Sequence, residues 1–232
     1  TAENLLGLFQ YIISVPAIFG ASIWLGFVWR RVTKWAVIWQ VAICLTIYAV
    51  IPTAFSSMTW ATRHPAFLAE TLPRQASVVR PASHEDVAQG RAAAIGQEVS
   101  VETVIPPAGI LFDRVARTNP ADPTSPKVGL GRFNAEIWVL SWLGFDFSHA
   151  SRSQLLALRF FFDALFPFVL LFGLSIITKP VARPILDRFF ARLHTPVQRT
   201  LEEAHDAVEA AYANPGMYEA QKIVPGSQWE IL

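Results

Sequence analysis

What most restricts the folds open to this chain is the length of its charge-free runs. Leu5 to Trp29 holds 25 residues without a formal charge. Wound as a helix they reach about 37 Å, enough to cross a hydrocarbon core of about 30 Å with some tilt. A second run extends from Trp35 to Thr62, and its portion Trp35–Thr53 makes a second span ending near Pro52. A third, Phe160 to Thr178, is interrupted only by Asp163. Buried helices of water-soluble domains rarely sustain about 18 apolar residues. Three such runs therefore predict three transmembrane helices. Pro16, inside the first, is tolerated in a membrane helix where neighbours satisfy the carbonyl it frees. Charged residues make up only 16% of the chain, against about a quarter in an average soluble domain.

The charges that remain set the topology. Arg30, Arg31 and Lys34 form a short cationic turn between two apolar runs, with no acidic neighbour. Short loops rich in Lys and Arg stay on the cytoplasmic side. Lys179, Arg183, Arg188 and Arg192 follow the third run, opposed only by Asp187, and place that end in the cytoplasm too. Arg30, Arg31, Lys34, Lys179 and Arg183 are thus read as topogenic. The predicted fold is an all-α integral membrane protein with its N-terminus outside. It comprises a transmembrane hairpin over 1–54, a large irregular extracytoplasmic cap over 55–153, a third span over 154–179 and a helical cytoplasmic tail over 180–232. A net charge of +1 sets nucleic acid aside, because that partner calls for a strong basic excess.

The cap carries local signals. Ser83 followed by Asp86 predicts a capped helix running to about Gln97. Pro106-Pro107, Asn119-Pro120 and Asp122-Pro123 mark breaks. Within 135–147, Trp138 and Trp142 share one helical face and suit the membrane–water boundary. In the tail, Ile185, Leu186, Phe189, Phe190 and Leu193 line one face of a helix whose other side holds Arg183, Asp187, Arg188 and Arg192. That pattern fits a helix on the inner membrane surface, with Phe189 and Phe190 toward the acyl chains and Arg188 and Arg192 toward the headgroups. Packing against the protein's own cytoplasmic side explains it equally well. Thr200 with Glu203 is a capping-box signature opening a further, acidic helix.

Candidate chemistry is sparse. The five histidines are scattered, and the sequence has no metal-ligand spacing, haem-attachment, phosphate-loop, dinucleotide or nucleophile-elbow motif. No catalytic residue, metal or cofactor is expected, and no enzymatic activity. Cys44, the single cysteine, reads as a small hydrophobe within an apolar run. Asp163 is the notable group, since a carboxylate inside a membrane helix marks a functional site by default. Arg159 stands one turn earlier and faces it at i,i+4. The pair lies near the outer end of its span, which favours docking of that helix end over an ion pathway. Ala17/Ala21 and Ser22/Gly26 are small-xxx-small pairs that admit close helix approach and predict contact with other membrane helices.

"SVPAIFGASIWLGFVWRRVTKWAVIWQ" resembles the late helices of sodium:solute symporters, in which an apolar helix ends in Trp and basic residues and a "TKWG"-like start opens the next. Ala36 stands where that glycine is usual. "RFFFDALFPFVLLFGLSIITKP", "LDRFFARLHTPV" and "YANPGMYEAQKIVPGSQWE" resemble the C-terminal region of bacterial members, while the cap matches poorly. The resemblance implies inverted five-helix repeats with sodium and a small solute held near the midplane by broken helices. Those helices lie upstream of the matched region, so no residue here inherits a ligand. It further implies a bacterial inner-membrane location and a further helix beyond "SQWEIL". Two functions follow as expectations: a bracing segment of such a transporter, or a non-transporting subunit derived from it that scaffolds a respiratory or photosynthetic type of complex. The partners expected are the bilayer and other membrane helices.

Overall fold

The computed structural model describes residues 16–214 and 216–231. Residues 5–15, the opening of the first expected span, lie outside them. Helix α1 covers Pro16–Val28. Helix α2 covers Lys34–Ser57, α3 Thr59–Arg63 and α4 His84–Ala88. Ala135–Trp142 is α5, Arg152–Ile177 is α6, Arg183–His194 is α7 and Leu201–Ala213 is α8. Four strands fall within the predicted cap: β1 Arg74–Pro81, β2 Glu98–Ile105, β3 Phe112–Arg117 and β4 Lys127–Phe133. The chain separates into two compact units, Ala49–Arg159 and the remainder, with both divisions falling inside long helices.

The first unit contains α1, the opening of α2 and most of α6. Ile18, Ala21, Leu25 and Trp29 form the buried stripe of α1 and its end, at the three- and four-residue spacing of a helix face. Ala36, Gln40 and Cys44 answer from α2, one every four residues, and Leu171 and Ser175 from α6. The contact layer is thin and mixes the small Ala21, Ala36 and Ser175 with Ile18, Leu25 and Leu171. Gln40 lies within it, receiving a hydrogen bond from Ser22 Oγ at 2.8 Å and donating to the Ile18 carbonyl at 3.2 Å. Large apolar side chains point outward instead. Trp24, Trp35, Trp39, Phe161 and Val169 are all more than half exposed. Only 33% of α2's apolar window and 28% of α6's is buried.

Prolines shape both long helices. Pro52 lacks the N–H that would bond one turn back, and just before it Thr46–Val50 widens into a π-turn. The helix thereby passes Pro52 and continues to Ser57 rather than ending near it. Pro167 sits inside α6 and leaves the Asp163 carbonyl without its usual donor.

The second unit corrects the all-α expectation. β1 pairs antiparallel with β2, Val78 opposite Val101, and β3 pairs antiparallel with β4 across a bulge between Phe112 and Arg114. The reason lies in the side chains. The β-branched Val99, Val101 and Thr103 alternate with Glu98, Ser100 and Glu102, a period of two that a helix cannot keep on one side. The helix expected to reach Gln97 stops at Ala88, ahead of Gly90 at φ +72°. Phe55 gathers the unit's core, its ring 4.9 Å from Phe133, 5.5 Å from Phe67 and 5.7 Å from Trp138. Phe112 packs on Phe133 at 5.3 Å and lies over Gly129, where any Cβ would collide with its ring.

Candidate functional site

The cationic turn after α1 is where the first unit's charges converge. Thr33 caps α2 by accepting from the Ala36 N–H at 3.2 Å, and its hydroxyl pairs with that of Thr178 at 2.7 Å. Arg31 donates to the Ile176 carbonyl at 3.0 Å, satisfying one of the acceptors left open at the end of α6. The start of α2 and the end of α6 are thereby joined through the turn.

Arg30 looks the other way, and the acidic counterparts absent from its own loop come from the tail. Its Nη1 meets Asp187 of α7 at 2.6 Å, and its Nε donates to Glu230. The guanidinium also lies over the Phe190 ring, 5.1 Å from the centroid. Residues 227–231 run beside the turn as a strap. Trp29 bridges Trp229 antiparallel, with Arg30 N–H donating to the Gln228 carbonyl at 2.9 Å and Glu230 N–H to the Val28 carbonyl at 2.8 Å. The two Trp rings stack at 5.5 Å, and Trp29 stacks on Phe172 at 4.7 Å. One Trp-Arg step thus faces one Trp-Glu step, ring on ring and charge on charge.

Glu230 is the hub. Its side chain is almost wholly buried, with Lys222 Nζ at 2.8 Å and His194 Nδ1 at 3.7 Å in addition to Arg30. Lys222 also reaches Glu219 at 2.8 Å. Burial works against the charges of Arg30 and Lys222, yet their carboxylate partners outweigh it and hold both pKa values above the usual range. The Lys222 ammonium and the Gly226 N–H hold the Glu219 carboxyl below its usual range. Burial lowers the pKa of His194, against the pull of Glu230. The arrangement fastens elements together; it aligns no nucleophile with a base.

Lys34 is exposed, with its ammonium 5.6 Å from the Trp35 ring centroid, and Lys179 and Arg183 are exposed. Asp163 is buried in the first unit. Arg159, in the second, reaches Asp113 at 3.3 Å. On α7, Arg188, Arg192 and Phe189 are exposed, whereas Phe190 is buried beneath Arg30 and does not share the outward face. Glu230, Lys222, Trp229 and Gln40 were not legible as site residues. The one signal was the repeated pattern of Trp followed by a charge, of opposite sign at 29–30 and 229–230. Among the described residues no group of three or more His, Cys, Asp or Glu gathers as a metal site. Compared with family models, curated proteins and solved structures, the chain matches none.

Proposed function

We propose that the chain is a bracing membrane segment of a sodium:solute-symporter-like transport protein of a bacterial inner membrane, holding neither the solute nor the sodium site and catalysing no reaction. The observation that carries this reading is the outward display of Trp, Phe, Val and Ile along α2 and α6, each long and apolar enough to cross a bilayer. A core helix of a water-soluble domain hides such a surface, because burying a large apolar side chain is worth about 1.5–3 kcal/mol. Lipid accepts it without penalty. The turn at Arg30–Thr33 and the strap at 227–231 tie the same ends of α1, α2 and α6, as a brace requires. In this reading that end is cytoplasmic, and the expected first span completes a three-span path with the cap over 55–153 outside.

A second reading, a scaffolding subunit without transport partners, draws on the compact unit Ala49–Arg159, which has a core of its own. Membrane fractions washed with alkaline carbonate test the membrane placement: the chain stays in the pellet and leaves only with detergent. Release by carbonate rejects both readings. Mild-detergent extraction then separates them. A brace co-purifies with symporter-type helices and supports sodium-dependent uptake in their company, whereas a scaffold co-purifies with a complex that shows none.

A further inference from the structure

The two faces of α7 do different things. Its inner edge is spent on the protein, with Phe190 and Ala191 buried, Phe190 under the Arg30 guanidinium and Asp187 on its Nη1. Its outer edge shows Ile185, Phe189 and Leu193, 63, 45 and 42% exposed. Arg188 and Arg192 are exposed beside them and Arg183 at the helix's first position, and none makes a salt bridge among the described residues. This outer edge is continuous with the apolar surface of α1: Phe189 stacks on the exposed Phe27, centroids 6.3 Å apart and planes at 17°. It is also close along the chain to α6, which ends in the exposed Ile176 and Ile177, with only five residues between Ile177 and Arg183.

We infer that α7 lies in the headgroup layer and binds anionic phospholipid, with Ile185, Phe189 and Leu193 among the acyl chains and Arg183, Arg188 and Arg192 on the phosphates. The inference rests on the membrane placement of α2 and α6 and adds the partner at their charged end. Charge selects the occupant. Three exposed guanidinium groups beside an apolar ridge fit a surface that is at once greasy and negative, and an anionic bilayer provides both within one headgroup depth. Because α7 is tied to the turn through Arg30, lipid held on its outer edge also steadies the α1–α2 connection.

The test uses the full chain reconstituted into nanodiscs that mix phosphatidylcholine with phosphatidylglycerol. Lipid retained by the protein is quantified, and Leu193→Cys carries an environment-sensitive fluorophore; Cys44 is buried and stays unlabelled. The expected result is enrichment of phosphatidylglycerol over the bulk mixture, falling about fivefold for each of Arg183→Gln, Arg188→Gln and Arg192→Gln at low salt. Enrichment weakens as salt shortens the screening length, and the fluorophore emits to the blue. If the chain does not enter nanodiscs, the membrane placement fails and this inference with it. If it enters but retains both lipids equally, with the fluorophore in water, the lipid inference alone is overturned and the face belongs to a protein partner. The glutamine variants keep α7's inner contacts, so loss of enrichment with unchanged melting separates lipid binding from folding.

Discussion

The two units bury opposite things. Residues 49–159 place aromatic rings inward around Phe55 and Phe133, whereas α1, α2 and α6 expose Trp24, Trp35, Trp39 and Phe161 and keep Ala21, Ala36, Gln40 and Ser175 between them with Ile18, Leu25 and Leu171. They also differ in how a buried carboxylate is matched. In the second unit the partner is near in sequence: Asp86 takes Arg80 at 2.6 Å and Arg91 at 2.9 Å, and Glu136 takes Arg132 at 2.6 Å one turn away. Glu230 in the first unit draws on Arg30, 200 residues distant. A unit with its own apolar core can afford local ion pairs. A bundle whose helices share only a thin contact layer needs its ends fastened from elsewhere.

The sharpest way to break this comparison is to remove a ring from each unit. Phe133→Ala empties the centre of the second unit and is expected to cost about 3–5 kcal/mol, whereas Phe161→Ala, on the exposed side of α6, changes stability by about 0.5 kcal/mol or less. Denaturant unfolding of the full chain in micelles checks the pair; equal losses would end the inside-out description. Next comes Val169→Arg, on the outward side of α6. If that surface meets lipid, insertion loses about 2.5–3.5 kcal/mol, read as the inserted fraction in microsomes. In contact with water the same change would be nearly neutral.

Glu230→Gln sharpens the contrast in ion pairing. It removes charge-assisted hydrogen bonds worth about 1.5–3 kcal/mol each, moderated because Arg30 keeps Asp187 and Lys222 keeps Glu219. Faster hydrogen exchange at Trp229 and Glu230 with residues 49–159 unchanged is the expected result, and unaltered exchange in the strap would deny Glu230 its role. The smallest effect is one of pH. His194 has its pKa lowered by burial, so the undocked state binds the proton more readily. Docking is complete above the ordinary histidine range of about 6.5 and weakens as pH falls through it. His194→Gln should flatten the exchange-versus-pH curve of the strap between neutrality and mild acid; an unchanged slope would place the titrating group elsewhere.

Local chemistry was open to reading from the chain. The Ser83–Asp86 and Thr200–Glu203 capping boxes are both in place, with the Ser83 N–H on Asp86 at 2.8 Å and the Thr200 N–H on Glu203 at 3.3 Å, because a cap needs only four consecutive residues. Two of the apolar runs are helices of membrane-crossing length and composition for the same reason: hydropathy and period are properties of neighbours. Strands β1 and β2 escaped, since a strand is stabilised by its partner across the sheet and not by its own residues. Which residues would meet Arg30 escaped as well. On a helical wheel Phe189 and Phe190 both fall within one broad apolar face, and the approach of the turn made one a platform for a guanidinium and left the other exposed.

The sequence by itself therefore determined where this chain is apolar, which residues cap α4 and α8, and that the turn before α2 is cationic. Tertiary structure alone decided that Trp-Arg at 29–30 meets Trp-Glu at 229–230 and that a π-turn carries α2 past Pro52. The physical reason is range. Charge and hydropathy act through each residue's own solvation, but a buried ion pair exists only where folding has brought its second member.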